Sequence, residues 1–520
     1  MDIVDTEETP LLGTNRSPPP YHPIPSAETP RPPWLSRRGS ADALRRHFSQ
    51  LTPLWFCLLF VLLIDIPSFM SETPKLRMLE LSLCREYYST QDPSVIDDNG
   101  NVPEDLCKLP QIHSSLAKQL GLLAMLGGLP GLVLAVPYGM LADHRSRRLV
   151  AAFCIVGFIL RDLCYFVVLY CYKSFPRRAV YAAPLFTILG GGTTVMNPMI
   201  LAIVAASISE EWRIQSFFFV HVTTLVTEFI APPLAAVLLN TCGPHFAFLA
   251  AVPFEIAAFL ALGLVVEPRH EHDYEEGSES DERENNDANQ ASESKSTLGQ
   301  PLIKVLRYLR QDVGGLLSQK ALLLGLLAVV GCRLGRPMLE LILQYMSVKF
   351  GWHFSKTSYL LSIQAATQIF IFLLALPAIS AWLVRIKGNA PAANLAFARG
   401  SVLILSLSTL AMGLAPLPPV FITFMVIYNF GNGFASAMRS FLTALVPKDR
   451  IATLFTTIAL FEGLSGFVLP PLLGYAFSFG LSRGGPIVSL PFFIVAGIYG
   501  LGFLAVWSLR YQRRGPSGNC

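Results

Sequence analysis

The chain has 520 residues, of which 52% are hydrophobic and 15% are charged, and its mean hydropathy is +0.47. Soluble globular chains average about 25% charged residues, so this chain has too few charges to solvate the surface of a soluble protein of its size. The composition therefore excludes a soluble enzyme, a coiled coil and a wholly disordered chain. The net charge of +4 is too small to predict a nucleic-acid partner.

Residues 1–50 are rich in proline and poor in large apolar side chains. Such a composition cannot bury enough surface to fold, so we predict a disordered tail. The segment has no short apolar core behind a positive N-terminus, which argues against a cleaved signal peptide. Within it, the stretch EETPLL from Glu7 to Leu12 has the form of an acidic dileucine sorting signal. It predicts a sorting adaptor as a partner, and a chance match is the alternative.

Apolar stretches follow this tail. A membrane-spanning helix needs about 20 predominantly apolar residues. Twelve stretches meet this length: 52–71, 116–141, 149–172, 180–207, 215–240, 245–266, 321–345, 358–383, 397–416, 420–446, 452–477 and 487–509. We therefore predict an all-α membrane protein with two six-helix bundles, and the predicted parts are the tail at 1–50, the bundles at 51–266 and 319–509, a linker at 267–318 and a C-terminal tail at 510–520.

The linker between the bundles is acidic. Ten acidic residues lie between His270 and Gln300, interleaved with Ser and Asn, which is typical of a solvated, disordered connector. His270 and His272 flank Glu271, a spacing that suggests a metal ion. A hydrated acidic linker explains the same residues, so we predict neither a metal site nor a cofactor.

Lys and Arg are distributed unequally between the two sides of the predicted spans. The loops and span ends on the side of both termini carry 25 of them, against 11 on the other side, and the remaining 4 lie inside spans. Because cytoplasmic loops are enriched in Lys and Arg, we predict that both termini are cytoplasmic. The sorting signal is compatible with the plasma membrane and with a vacuolar or endosomal membrane.

Most of the nine cysteines lie inside spans, where Cys acts as a small apolar residue. Cys84 and Cys107 instead share the first non-cytoplasmic loop, in a compartment that permits oxidation. The sequence allows a disulfide between them or two free thiols.

The two bundles share a sequence pattern. Each has a Gly-rich helix, a short acidic joint ending in Arg-Ile (Arg213 and Arg450), a Glu inside the next span (Glu228 and Glu462) and a Pro-Pro-Leu. Two six-span halves in parallel orientation are the repeat architecture of a large class of transporters. The alternative is that Gly and Pro simply recur in membrane helices.

The joint between spans 2 and 3 reads GMLADHRSRR. It resembles the signature loop of the major facilitator superfamily, commonly G-x-L-A-D-[RK]-x-G-[RK]-[RK], and the matching residues are Gly139, Leu141, Ala142, Asp143, Arg147 and Arg148. His144 and Ser146 depart from the pattern, and the preceding LPGLVLAVPYG resembles fungal members. The resemblance implies alternating access, with Asp143 pairing with Arg147, Arg148 or a helix N-terminus to gate the cytoplasmic side. A basic loop that only sets orientation is the alternative.

Charged residues inside a membrane are costly and usually face the bundle interior. We name two sets of candidates. The proton-coupling candidates are Asp65, Glu228, Glu462 and His221, since a carboxyl group in a low-dielectric interior can carry a proton near neutral pH. The substrate-binding candidates are Arg161, Arg333, Arg336 and Glu340, of which Arg333, Arg336 and Glu340 share one helical face. Structural ion pairs between helices are the alternative for both sets.

These features predict a monomeric, proton-coupled secondary transporter of a small organic solute, either exporting a metabolite or importing a nutrient. A transporter-like sensor and a carrier without proton coupling are the alternatives. The sequence has no H-E-x-x-H or G-x-S-x-G motif, which argues against an intramembrane enzyme, and no P-loop, which argues against a primary pump.

Overall fold

The computed structural model describes the backbone of residues 39–98, 100–208, 213–264, 320–332, 335–446 and 451–509. Side chains are described from residue 54 onward, with gaps at a few positions. The described residues from Thr52 onward form one compact unit. The predicted sorting signal from Glu7 to Leu12, the histidines of the acidic linker and the C-terminal tail lie outside the described residues.

The described residues are helical and contain no strand. The helices of the first half are α1 (Gly39–Met70), α2 (Glu72–Gln91), α3 (Glu104–Cys107), α4 (Pro110–His144), α5 (Arg147–Tyr170), α6 (Thr193–Ser207), α7 (Arg213–Leu249) and α8 (Val252–Leu262). Those of the second half are α9 (Lys320–Cys332), α10 (Gly335–Phe350), α11 (Phe354–Phe370), α12 (Leu376–Lys387), α13 (Ala390–Leu414), α14 (Pro418–Asn429), α15 (Phe434–Thr443), α16 (Ile451–Arg483) and α17 (Leu490–Ser508). Between them lie 3₁₀ segments at Pro93–Val95, Arg177–Ile188 and Gly485–Ser489, and a π-helical segment at Ile371–Ala375.

Ten segments in the described ranges are long and apolar enough to cross a membrane. Two shorter apolar helices, α8 and α9, flank the acidic linker. The ten segments match ten of the twelve predicted spans in order, and α8 and α9, with 11 and 13 described residues, lie at the positions of the other two. The chain is therefore an integral, multi-pass, all-helical membrane protein.

The first segment departs from its predicted bounds. The helix α1 begins at Gly39, well before residue 52, and α2 follows it almost directly, so that Leu54–Gln91 covers 38 residues. At about 1.5 Å per residue this is about 57 Å, nearly twice the thickness of a hydrocarbon core. Because α2 carries six charged residues, we expect it to be the part that projects beyond the membrane. Residues 71–109, which we call the cap, thus form an ordered helical layer where the sequence predicted only a loop.

Glycines set two breaks in the path of the chain. Gly243, with φ of +81°, separates the two parts of α7 and marks the boundary between the fifth and sixth spans, inside the gap that the sequence predicted. Gly190, with φ of +95°, lies where the backbone of α5 comes so close that a Cβ would overlap Cys154. Only glycine fits this conformation without strain.

Each half has a buried apolar core. The core of the second half contains Tyr345, Phe421, Phe492 and Tyr499, all at most 2% exposed. The core of the first half extends into the cap and also includes Phe354 of α11, so the two halves share apolar contacts there.

The halves meet along two seams, α4 against α16 and α7 against α11. In the first seam a Cβ on Gly474 would lie 2.5 Å from the Ala117 carbonyl oxygen, and a Cβ on Gly121 would lie 2.8 Å from the Pro471 Cα. The glycines of α4 and α16 therefore allow backbone-to-backbone packing. The Pro-Pro pair of the second repeat is part of this seam. We call the end of the bundles that carries the cap the cap end, and the opposite end, with the GMLADHRSRR loop, the motif end.

Candidate functional site

Two of the predicted proton-coupling residues lie at the contact between α1 and α7. Thr224 Oγ1 donates a hydrogen bond to Asp65 Oδ2 at 2.7 Å. Glu228 lies one turn further along α7 and is half-buried. The structure thus brings two membrane-embedded carboxyl groups onto neighbouring helices of the first half. Asp65 lies about 17 Å along the helix from Leu54, close to the middle of a hydrocarbon core.

His221 lies two turns before Glu228 on α7. Its imidazole packs edge-on against the ring of Phe372, with ring centroids 5.0 Å apart. Phe372 belongs to the π-helical segment that follows α11, so His221 contacts the second half. A residue at this seam changes its surroundings when the two halves move.

Arg161 lies away from these acids, between α5 and α8. Its Nε and Nη2 donate to the two carboxylate oxygens of Asp162 at 2.6 and 3.1 Å. Glu255 of α8 interacts electrostatically with both residues. Asp162 and Glu255 are 3% and 2% exposed, and Glu255 Oε2 has no hydrogen-bond partner among the described residues. The sequence analysis considered Arg161 for substrate binding, and the structure places it in this cluster inside the first half.

Glu462 of α16 forms an ion pair with Arg439 of α15. The two residues are 23 positions apart on successive spans, so no helical periodicity in the sequence connects them. The sequence analysis did not include Arg439 in the site, because an arginine near a span end can reach the membrane surface. Its guanidinium instead faces a predicted proton-coupling carboxylate.

The remaining substrate-binding candidates are only partly described. Arg333 lies outside the described residues, as does the side chain of Arg336. Glu340 of α10 is exposed. The shared face that the sequence assigns to these residues stays a prediction.

The motif loop joins α4 to α5. Ser146 is extended, with φ of −170°, so this turn does not need the glycine that the superfamily pattern has there. Arg147 Nη1 donates to the Ala202 carbonyl oxygen at 3.3 Å, near the C-terminal end of α6, where a cation is favoured. A Cβ on Gly139 would meet no atom within 4 Å. The side chain of Asp143 lies outside the described residues, and Arg148 is half-buried.

A disulfide links Cys84 to Cys107 within the cap, and both residues are fully buried. The bond ties α2 to α3 over a sequence separation of 23 residues. The bond therefore holds together two helices in the apolar core that the first half shares with Phe354 of the second half.

Four residues at the cap end, which the sequence analysis missed, form a buried polar cluster that we call the latch. They are Arg77 and Glu80 of α2, His113 of α4 and Gln344 of α10. Arg77 pairs with Glu80 and donates from Nη2 to the Val102 carbonyl oxygen at 2.9 Å. His113 Nε2 lies 3.0 Å from Glu80 Oε1, and Gln344 Nε2 donates to the His113 carbonyl oxygen at 2.7 Å. The latch therefore joins the two halves.

Further hydrogen bonds cross between the halves at the cap end. Glu104 Oε1 accepts from the Phe354 N–H at 2.8 Å, Ser358 Oγ donates to Thr73 Oγ1 at 2.9 Å, Lys108 Nζ donates to the Gly351 carbonyl oxygen at 3.0 Å, and Ser114 Oγ and Ser478 Oγ are 2.6 Å apart. The cap end is thus shut by polar contacts.

The exposure of side chains along α4 increases from the cap end toward the motif end. Leu116 and Ala117, near the cap end, are 0% exposed, whereas Val133 and Val136, toward the motif end, are 62% and 61% exposed. One face of α4 is therefore tightly packed near the cap, and the side chains beyond its midpoint are packed much less.

The sequence model of the Major Facilitator Superfamily matches residues 109–470, from the end of the cap to the Pro-Pro pair of α16. The chain belongs to the Major Facilitator Superfamily. This confirms the family that the GMLADHRSRR loop indicated. It also accounts for the two helical bundles and their two seams.

Relatives of this superfamily member occur in fungi. The MFS efflux pump atnC of Emericella nidulans is 28% identical over 462 residues, which cover 86% of each chain. The efflux pump ustT of Aspergillus flavus is 28% identical over 449 residues, which cover 85% of each chain. Among solved structures, a D-xylose–proton symporter has a TM-score of 0.57 at 15% identity, covering 88% of this chain and 96% of the other. At that identity the structural likeness shows the fold alone.

Proposed function

We propose that this superfamily member is a proton-coupled secondary transporter that exports a small organic solute by alternating access of its two halves. The observation that carries the proposal is the contact between Asp65 and Thr224, with Glu228 one turn away. Ionisable groups at this depth are costly, and they are retained where they bind ions or protons. The names of the two fungal relatives, both efflux pumps, support the direction of transport.

The proposed cycle needs the two ends of the bundles to open in turn. The excess of Lys and Arg on the side of the termini places the motif end in the cytoplasm and the cap end on the opposite side. With the cap end shut, the solute enters from the cytoplasm. Protons then enter from the cap end after the solute has left. His221 and Glu462 are further proton candidates, the latter within its ion pair with Arg439.

For the solute we propose a chemical class, a small organic molecule with an anionic group. We propose that Arg333 and Arg336 hold an anionic group of the solute and that Glu340 lies on the same helical face. We do not include Arg161 in this role, because its Nε and Nη2 are already engaged by Asp162.

Transport by the purified protein tests the proposal. Compounds retained by cells that lack the gene identify the solute, and proteoliposomes with an imposed pH gradient then report its movement. We expect Asp65→Asn and Glu228→Gln to abolish the stimulation by the pH gradient, because the amides cannot take up a proton. Asp98→Asn, an exposed acid of the cap, is the matched control and should transport like the parent.

Other outcomes separate the alternatives. Full proton dependence in both variants would show that Asp65 and Glu228 are not the coupling sites. Solute movement that ignores the pH gradient in the parent would indicate a facilitated-diffusion carrier. No movement of any retained compound would favour a transporter-like sensor.

A further inference from the structure

The latch combines two properties that no other described cluster of charges combines. It is fully buried, with Glu80, His113 and Gln344 at 0% exposure. It also crosses between the halves, because Gln344 of the second half donates to the backbone of His113 in the first. Opening the cap end must separate Gln344 from His113 and admit water to the imidazole. The surroundings of His113 therefore depend on the conformational state.

His113 faces charged groups of the first half and neutral groups of the second half. From α2 it faces Glu80 and, behind it, the guanidinium of Arg77. Glu104 of α3 approaches this guanidinium to 3.9 Å and is mostly buried. The second half contributes the neutral amide of Gln344 and, on α11, the ring of Phe354 at 6.4 Å. A second guanidinium, that of buried Arg85, interacts with Arg77, and Glu104 also faces His353 at 3.4 Å. Glu80 Oε1 nevertheless has no aligned hydrogen bond among the described residues, which is costly in a buried site.

A proton on His113 would place a cation beside the unpartnered Glu80 Oε1. Its Nε2 is 3.0 Å from Glu80 Oε1, yet neither atom has an aligned hydrogen bond among the described residues. An imidazolium attracts the carboxylate at this distance without that alignment. The Gln344 amide nitrogen lies 3.4 Å from Nδ1 and is itself a donor, so the favourable partner of an added proton is Glu80 and not Gln344.

We propose that His113, paired with Glu80, is a proton-binding site that is complete only when the cap end is shut, and that the bound proton holds the two halves together there. Histidine is the side chain that ordinarily changes charge near physiological pH. A ligand that binds one of two states shifts the protein toward that state. Acid therefore shuts the cap end. For the proposed exporter, and resting on that proposal, this is the closing step after the solute has left.

Distances at the cap end test the site without a solute or a gradient. We suggest spin labels at Ser89→Cys of α2 and Ser482→Cys of α16, both exposed and on opposite halves, in the full chain. The exposed Cys171 and Cys242 are first changed to serine. Between about pH 8 and pH 5 the population with the short distance should rise. One proton changes the ratio of shut to open by at most about tenfold per pH unit.

Two histidines at the same end provide a matched comparison. His113→Gln should abolish the shift with pH, whereas His353→Gln, which alters a half-exposed histidine 3.4 Å from Glu104, should keep it. Should His113→Gln fail to fold, Glu80→Gln removes the carboxylate that pairs with His113 and should abolish the shift as well. A shift that persists in His113→Gln or Glu80→Gln, that is lost in His353→Gln, or that is absent from the parent overturns the inference.

The same measurement separates this inference from the proposed function. If the pH shift is absent but a pH gradient still drives solute transport, the latch is not a proton site and the proposed function stands. If the shift is present but no gradient drives transport, the latch is a pH-dependent closure and the proposed proton coupling is wrong.

Discussion

Charged side chains are buried at two places in the first half, and the two places differ in what can move around them. Arg161, Asp162 and Glu255 lie between α5 and α8, which belong to the same bundle. The latch lies against α10 of the other bundle. The first combines two carboxyl groups with one guanidinium, and the second combines one carboxyl group with a guanidinium and an imidazole. The first keeps its partners throughout a rocking motion of the halves, whereas the second loses one.

Because of this difference, substitutions at the two places should affect different quantities: the free energy of unfolding at the first and the equilibrium between conformational states at the second. A cluster inside a rigid bundle contributes equally to every state of the cycle, so changing it alters the free energy of unfolding. A cluster across a seam contributes to one state only, so changing it alters the equilibrium between states. Substitutions at each place distinguish the two kinds of effect.

The largest expected effect is that of Arg161→Met. It leaves Asp162 and Glu255 buried without their cation, and breaking a buried pair in this way costs about 3–5 kcal/mol. We expect a loss of this size in the free energy of unfolding, measured by denaturant titration in detergent. The cap-end distance should keep its dependence on pH in whatever protein remains folded.

Glu255→Gln is the matched control for Arg161→Met. It preserves the shape of the side chain and leaves the pair of Arg161 with Asp162 intact, so the free energy of unfolding should not fall. If Glu255→Gln proved as destabilising as Arg161→Met, the cluster would need the carboxyl group of Glu255 itself.

A smaller effect is expected from Gly474→Ala at the seam between α4 and α16. The added methyl group would lie 2.5 Å from the Ala117 carbonyl oxygen, so the helices must separate. Overpacking of this kind typically costs about 1–3 kcal/mol. We expect the cap end to open at any given pH, which the distance between the labels at residues 89 and 482 measures.

Gly466→Ala provides the comparison on the same helix, because a Cβ there meets no atom within 4 Å. It should leave the distance unchanged. Equal behaviour of the two variants would mean that the close approach of α4 and α16 does not control the cap end.

The sequence predicted the order of the spans because each requires a long apolar run, and the gap that it left between the fifth and sixth spans contains Gly243. It did not predict that α2 is an ordered helix. A charged helix outside the hydrocarbon core has no hydropathy signal, and the tertiary contacts that order it come from distant parts of the chain. The family was readable from the motif loop, whose residues are contiguous.

The site was less predictable, since its pairs come from different spans. Asp65 and Glu228 could be named as membrane acids, but their position on adjoining helices needs the packing of α1 on α7. The latch combines Arg77 and Glu80 from a predicted loop, His113 from just before a predicted span, and Gln344, an uncharged residue inside one. A search for membrane charges therefore could not find it.

The most direct test of the account measures both ends of the bundles at once. One pair of spin labels at residues 89 and 482 reports the cap end, and a second pair at Arg145→Cys and Lys387→Cys, both exposed, reports the motif end. Acidification should shorten the cap-end distance and lengthen the motif-end distance in the same samples. Two distances that change in the same direction, or a motif end that does not move, would contradict a proton-driven alternation of the two halves.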